Sequence, residues 1–205
     1  MPDAATRLIS CENLDLSREF DGEALGTKAK NLNINDYEQS YDNMLKGAAL
    51  LRKHGGAANL TSLSMMAYGW MPTILKTPLP NAGIEWLADW ADSMTRVDDV
   101  ADSLSKGDIS LPLVNNSWVG TSKFLHFYSP ETFPIWDSVV ASNWKLTRYR
   151  YEKKQAYADY CRVIGKLSAN SQIKNLKHTL FSRPELTSDV RAVEFALFLL
   201  AYKSK

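Results

Sequence analysis

The chain has 205 residues, 45% of them hydrophobic, and a formal net charge of +1. That length and composition suit one domain, or one domain in two lobes, with a real core. No apolar run approaches the length of a membrane span and the N-terminus lacks a basic-then-apolar leader, so the expectation is a soluble, cytoplasmic protein with no membrane partner.

Residues 1–34 lack periodicity and read as an irregular N-terminal arm with one short helix near Leu14–Leu25; residues 35–205 read as the helical domain. From Asp36 to His54 the positions Tyr37, Tyr41, Met44, Leu45, Ala48 and Leu51 follow helical spacing, and Gly55-Gly56 ends the run. Leu60 to Trp70 predicts a second helix braked by Pro72, and Lys76 to Pro80 a linker. Ile84 to Leu104 predicts one long helix with Trp86, Leu87, Trp90, Met94, Val97 and Leu104 among its apolar face. Residues 113–121 predict a helical turn closing on Gly120, Ser122 to Tyr128 a helix ended by Pro130, and a helix capped by Asp137 or Ser138 should run to about Tyr149. Helices at Tyr151–Leu167, Ile173–Phe181 and Val190–Tyr202 complete the chain. With no alternating strand runs, internal repeats or low-complexity tracts, the fold class is all-α.

Charge is distributed unevenly. Residues 85–108 carry seven acids against Arg96 and Lys106, whereas residues 144–183 carry ten bases against Glu152 and Asp159. The basic segment suits a polyanion, since phosphate binding is driven by charge neutralisation and counterion release. A lysine-rich solvated helix surface would give the same count. The two cysteines, Cys11 and Cys161, are too few for an iron–sulfur cluster or a zinc site, and His54, His126 and His178 show no ligand spacing, so neither metal nor cofactor is expected.

The most informative stretch runs from Ser117 to Asp137. A glycine, Gly120, leads into one lysine, Lys123; an aromatic run and a Phe133-Pro134 break follow, then one acid, Asp137. An inward-facing lysine pays several kcal/mol to stay charged and tends to lose its proton. The neutral amine is a nucleophile, and a nearby carboxylate is its natural proton-transfer partner.

Val119-Gly120-Thr121-Ser122-Lys123 with Phe133-Pro134-Ile135-Trp136-Asp137 resembles the helix–hairpin–helix DNA glycosylase superfamily, in particular its 8-oxoguanine-glycosylase-like branch, and Arg191–Phe198 resembles that branch's closing helix. The similarity covers about forty residues. Trp118 stands where the hairpin has its first glycine, an extra residue separates Gly120 from Lys123, and the step from Lys123 to Asp137 is shorter by about one helical turn. The resemblance implies a compact helical domain, with a cleft between lobes, that acts on damaged or modified bases in double-stranded DNA. Lys123 would attack the sugar as the base leaves, with AP-lyase cleavage through the resulting Schiff base, and Asp137 would orient or deprotonate the amine. Gly120, Thr121 and Ser122 would hold a backbone phosphate on their amides, while Arg148, Arg150, Lys153 and Lys154 track the strand. Trp118, Phe124, His126, Tyr128 and Trp136 would wall a base pocket.

Bland roles exist for each of these residues: a snorkelling lysine, a helix cap at Asp137, a turn at Gly120, core aromatics and a structural histidine. Two other functions stay open on the sequence, namely a non-catalytic nucleic-acid-binding protein on the same scaffold and a helical adaptor that uses the acidic helix 85–104 as its contact surface.

Overall fold

The structure, a computed structural model, describes residue 9 and residues 20–32, 34–70, 75–106 and 110–202, with the side chains of residues 34–37, 172 and 174 excepted. All regular structure among the described residues is helical. Helix α1 (Gly22–Asn31) lies within the expected N-terminal arm, later than the expected helix near Leu14–Leu25, whose start falls outside the described residues. Asp21 caps α1 by accepting from Glu23 N at 2.9 Å, and Leu25 and Ala29 are buried. At its other end Lys28 Nζ donates to the carbonyl of Leu199 at 3.0 Å, so the arm is fastened to the C-terminal helix.

Helices α2 (Ile34–His54) and α3 (Gly56–Gly69) form an antiparallel pair. The turn between them needs positive φ at Gly55 and Gly56, 60° and 75°, which glycine adopts without Cβ strain. This lets α3 start at Gly56, four residues before Leu60, where periodicity places it; the side chain of Glu85 accepts from Ala57 N at the new helix start.

The long helix expected from Ile84 to Leu104 is two helices, α4 (Asn81–Asp92) and α5 (Val97–Ser105). Local polar chemistry overrides the apolar stripe. Ser93 Oγ donates to the Trp90 carbonyl at 2.7 Å, and the Asp99 carboxylate accepts from Arg96 N at 2.9 Å, Thr95 N at 3.1 Å and Thr95 Oγ1 at 2.8 Å. Those bonds hold the Asp99 carboxyl below the ordinary carboxylate range. Trp90 Nε1 donates to Ser103 Oγ at 3.0 Å across the turn.

Around the motif the boundaries also move. One helix, α6 (Trp118–Tyr128), replaces the two pieces expected to part at Gly120. The helix expected from Asp137 to Tyr149 stops after one turn, α7 (Ser138–Ala141). A 3₁₀ turn and a left-handed Lys145 (φ 54°) follow, then the single turn α8 (Arg148–Tyr151). Helices α9 (Lys154–Ser168), α10 (Ser171–Leu180) and α11 (Asp189–Ala201) match expectation to within three residues at each end.

Two groups of helices share one continuous apolar core. In the first, α3 packs on α2 and α4, and α6 lies against α2 and α3. In the second, α5 packs along α9, and α9 and α10 close on α11, with α1 across α10 and α11. Helix α6 is buried on nearly every side, and so is α11 from Val190 to Leu197. A helix enclosed all round should be apolar throughout. Lys123 and His126 on α6, and Arg191 and Glu194 on α11, are the charged or ionisable exceptions.

Candidate active site

Helix α6, which carries Lys123, and the extended segment 133–137, which ends at Asp137, are bonded side by side. Ser122 Oγ accepts from Trp136 N at 3.0 Å and lies 3.2 Å from the Trp136 carbonyl. Lys123 and Asp137 each follow that contact by one residue on its own segment, and the Asp137 charge acts on the amine. Asp137 also caps α7, accepting from Val140 N at 2.8 Å.

The Lys123 side chain is 7% exposed. Among the described residues it has no salt-bridge partner within 4.0 Å. Burial pushes its pKa below the ordinary lysine value, and the carboxylates of Asp137, then Glu194 and Glu152, hold back part of the fall. The amine therefore stands in the condition a nucleophile needs, desolvated and within the field of a carboxylate.

Three more polar groups complete this interior. Glu194, 3% exposed, forms a buried ion pair with Arg191 and accepts from Ile135 N at 3.3 Å; burial raises its pKa despite the arginine. His126 is fully enclosed. Its Nδ1–H donates to the Phe133 carbonyl at 2.8 Å, which fixes the tautomer and leaves Nε2 to accept from Tyr41 Oη at 2.6 Å. Burial, followed by the Arg191 charge, takes its pKa down to about 3, so it is a neutral ring at physiological pH. Tyr160, on α9, is wholly buried, and its hydroxyl has no hydrogen-bond partner among the described residues. Burial first, then the charges of Glu194 and Asp137, raise its pKa well above the ordinary tyrosine value. An unpartnered buried hydroxyl in the field of two carboxylates is costly to fold.

The expected phosphate hairpin is not formed. Ser117 caps α6, with Gly120 N donating to Ser117 Oγ at 3.4 Å and Thr121 N to Ser117 O at 2.9 Å, so these amides are spent inside the helix. Thr121 Oγ1 accepts from Val114 N, and Gly120, Thr121 and Ser122 are all buried. An anion already lies at the helix start: Glu152 accepts from Trp118 N at 3.0 Å and from Ser117 Oγ at 2.9 Å. Gly120 serves packing instead. A Cβ there would collide with the Tyr68 hydroxyl and stand 2.7 Å from the Val114 carbonyl oxygen. Tyr68 is held over it with its pKa raised to about 12, chiefly by burial, and with a side-chain hydrogen bond to Asn115.

The expected base-pocket residues are core residues. Trp118 stacks on Tyr157 with ring centres 5.4 Å apart, and Phe124 lies against Tyr128. Trp136 packs on Tyr160 at 4.6 Å, and Tyr128 donates to Asp92 at 2.8 Å beneath the Arg52 guanidinium. All four are 5% exposed or less, and His126 is 0% exposed, so none presents a face to an incoming base.

Arg148, Arg150 and Lys153 are exposed and Lys154 is half-buried, on or beside α8. This basic segment is bound to the interior at two points: Trp136 Nε1 donates to the Tyr151 carbonyl at 2.8 Å, and Glu152 grips the start of α6. The charges therefore sit next to the elements that hold Lys123 and Asp137.

Glu194, Tyr160 and Glu152 went unpredicted as site groups. For Glu194 a signal existed, since Arg191 and Glu194 are the two charges inside an otherwise apolar helical run. Nothing local marks Glu152, whose charge acts on the lysine, or Tyr160, which feels the charges of Glu194 and Asp137, because only tertiary packing assembles them. Among the described residues no three His, Cys, Asp or Glu side chains gather to hold a metal ion, and no helix is long and apolar enough to cross a membrane. No protein-family model, curated protein or solved structure matches the chain.

Proposed function

We propose that this protein is a DNA glycosylase of the helix–hairpin–helix type that excises a damaged or modified base through Lys123, with AP-lyase chemistry available from the same amine. One observation carries the reading: a buried lysine whose pKa is lowered lies in the field of Asp137, on two segments bonded side by side through Ser122 and Trp136. The Nζ lone pair forms a bond to C1′ of the deoxyribose while the glycosidic bond breaks and its electron pair leaves with the base, which takes up a proton. Asp137 accepts the proton shed by the new secondary amine and returns it to O4′ as the C1′–O4′ bond breaks and the nitrogen lone pair forms the C=N bond of a protonated imine. Positive charge building on the sugar is stabilised by the carboxylates of Asp137 and Glu194. Arg148, Arg150 and Lys153 supply the phosphate contacts. At 7% exposure the amine is covered, so the substrate sugar enters only after the side chains over it move.

Borohydride trapping tests this directly. Wild-type protein incubated with duplexes bearing modified bases or an abasic site should give a covalent adduct on reduction, and Lys123→Ala should give none. A second reading, DNA binding without base excision, draws support from the closed start of α6, where Glu152 occupies the phosphate position, and from the core placement of the five aromatic and histidine side chains. Absence of adduct across a broad set of modified bases, with DNA binding retained, would decide for that reading.

A further inference from the structure

Tyr149 has no part in the reaction proposed above, yet it is the most exposed large hydrophobic residue among the described residues, at 75%. It projects from α8 between Arg148 and Arg150, both exposed. Lys153 Nζ lies 4.1 Å from the centre of its ring. The other conspicuously exposed apolar groups, Leu50, Met65, Trp86 and Leu186, lie on other elements. The short turn that carries Tyr149 is also fixed from below: the next residue, Tyr151 after Arg150, gives its carbonyl to Trp136 Nε1, and Glu152 is bonded to Ser117 and Trp118. The ring is thus a flat apolar surface set in a cluster of cations on an anchored base.

We propose that Tyr149 is a stacking platform for an unpaired base, so that the 148–153 surface takes a single-stranded or locally opened DNA strand in preference to an intact duplex. This rests on the reading of the protein as DNA-binding but not on the chemistry at Lys123. Within a duplex the base faces are covered by their neighbours, and only phosphates and groove edges are reachable. Arg148 and Arg150 can serve either form, because phosphate contacts are indifferent to pairing. An exposed aromatic ring gains only when a base face is free to lie on it, a contact tolerant of sequence since every base has a π-face. The Lys153 ammonium covers one face by cation–π attraction, which steadies the ring and leaves the remainder to the solvent or a base.

Fluorescence anisotropy at one fixed salt concentration, with short oligo(dT) and a random-sequence duplex of equal length, tests the inference on the full chain. Tyr149→Ala should weaken oligo(dT) binding about tenfold, while duplex binding changes less than about twofold and Tyr149→Phe behaves as wild type. Charge reversal at Arg148 and Arg150 should weaken both ligands. A loss on oligo(dT) no greater than the loss on duplex, or none at all, overturns the stacking role while leaving the DNA reading intact. Wild-type protein that binds neither oligonucleotide overturns the DNA reading, and this inference with it.

Discussion

Two clusters of charge, linked through the Trp136–Tyr151 and Trp118–Glu152 bonds, obey different physics. Inside, Lys123, His126, Glu194 and Arg191 are almost stripped of water, and three of them have pKa values displaced by burial. Outside, on 148–153, Arg148, Arg150 and Lys153 stand in solvent around one aromatic ring. Removing water makes each interior group dependent on its partners, whereas exterior groups act through their summed field. The interior is therefore where single substitutions should cost stability, and the exterior is where they should change binding alone.

The largest effect expected is at the tightest fit. Gly120→Ala forces a methyl group into the Tyr68 hydroxyl and against the Val114 carbonyl, and should cost about 4 kcal/mol or abolish folding, read by urea denaturation. Adding Tyr68→Phe should recover only part of that, because the Val114 carbonyl remains.

Acid comes next. His126 has a folded-state pKa of about 3 against 6.5 in the unfolded chain, so the unfolded state binds the extra proton and stability is lost as pH falls from about 6.5 towards 3. The loss attributable to this ring should approach roughly 4 kcal/mol. Glu194, whose pKa is raised, works in the opposite sense above its unfolded value of 4.5. The ring's share is therefore read as the difference in slope of stability against pH between wild type and His126→Gln.

Glu194→Ala leaves the Arg191 guanidinium buried without its carboxylate and should cost about 3 kcal/mol, whereas replacing the pair together with Met and Leu should restore most of it. A smaller effect of opposite sign sharpens the comparison: Lys123→Met removes a desolvated amine and should raise stability by about 1 kcal/mol while abolishing trapping. If Lys123→Met instead destabilises the protein, the amine is a structural ion-pair partner and the nucleophile reading loses its physical basis. Arg150→Ala, on the exterior, should shift stability by less than about 0.5 kcal/mol.

What the sequence disclosed follows the same division. Periodicity marks the long amphipathic helices, and α2, α9, α10 and α11 lie close to where their apolar spacing places them. It fails where polar side chains bond to the nearby backbone. Ser93 and Asp99 cut a continuous apolar stripe in two, and Lys145 turns left-handed where a helix was expected to continue. Gly120 looks like a turn residue in one dimension but is a helical residue whose missing Cβ admits Tyr68 from another helix. The motif singles out Lys123 and Asp137. Glu194 and Tyr160 come from helices α11 and α9, well beyond the reach of local spacing, and only packing brings their charges and hydroxyl to the same place.

Glu152 gives the short basic loop a dual allegiance. Its carboxylate plays the part of a resident anion at the mouth of α6, and its backbone continues directly into the arginine-bearing turn. A phosphate arriving at that mouth would have to displace Glu152, and the turn that carries Arg148, Tyr149 and Arg150 would then hang on the Tyr151–Trp136 bond alone.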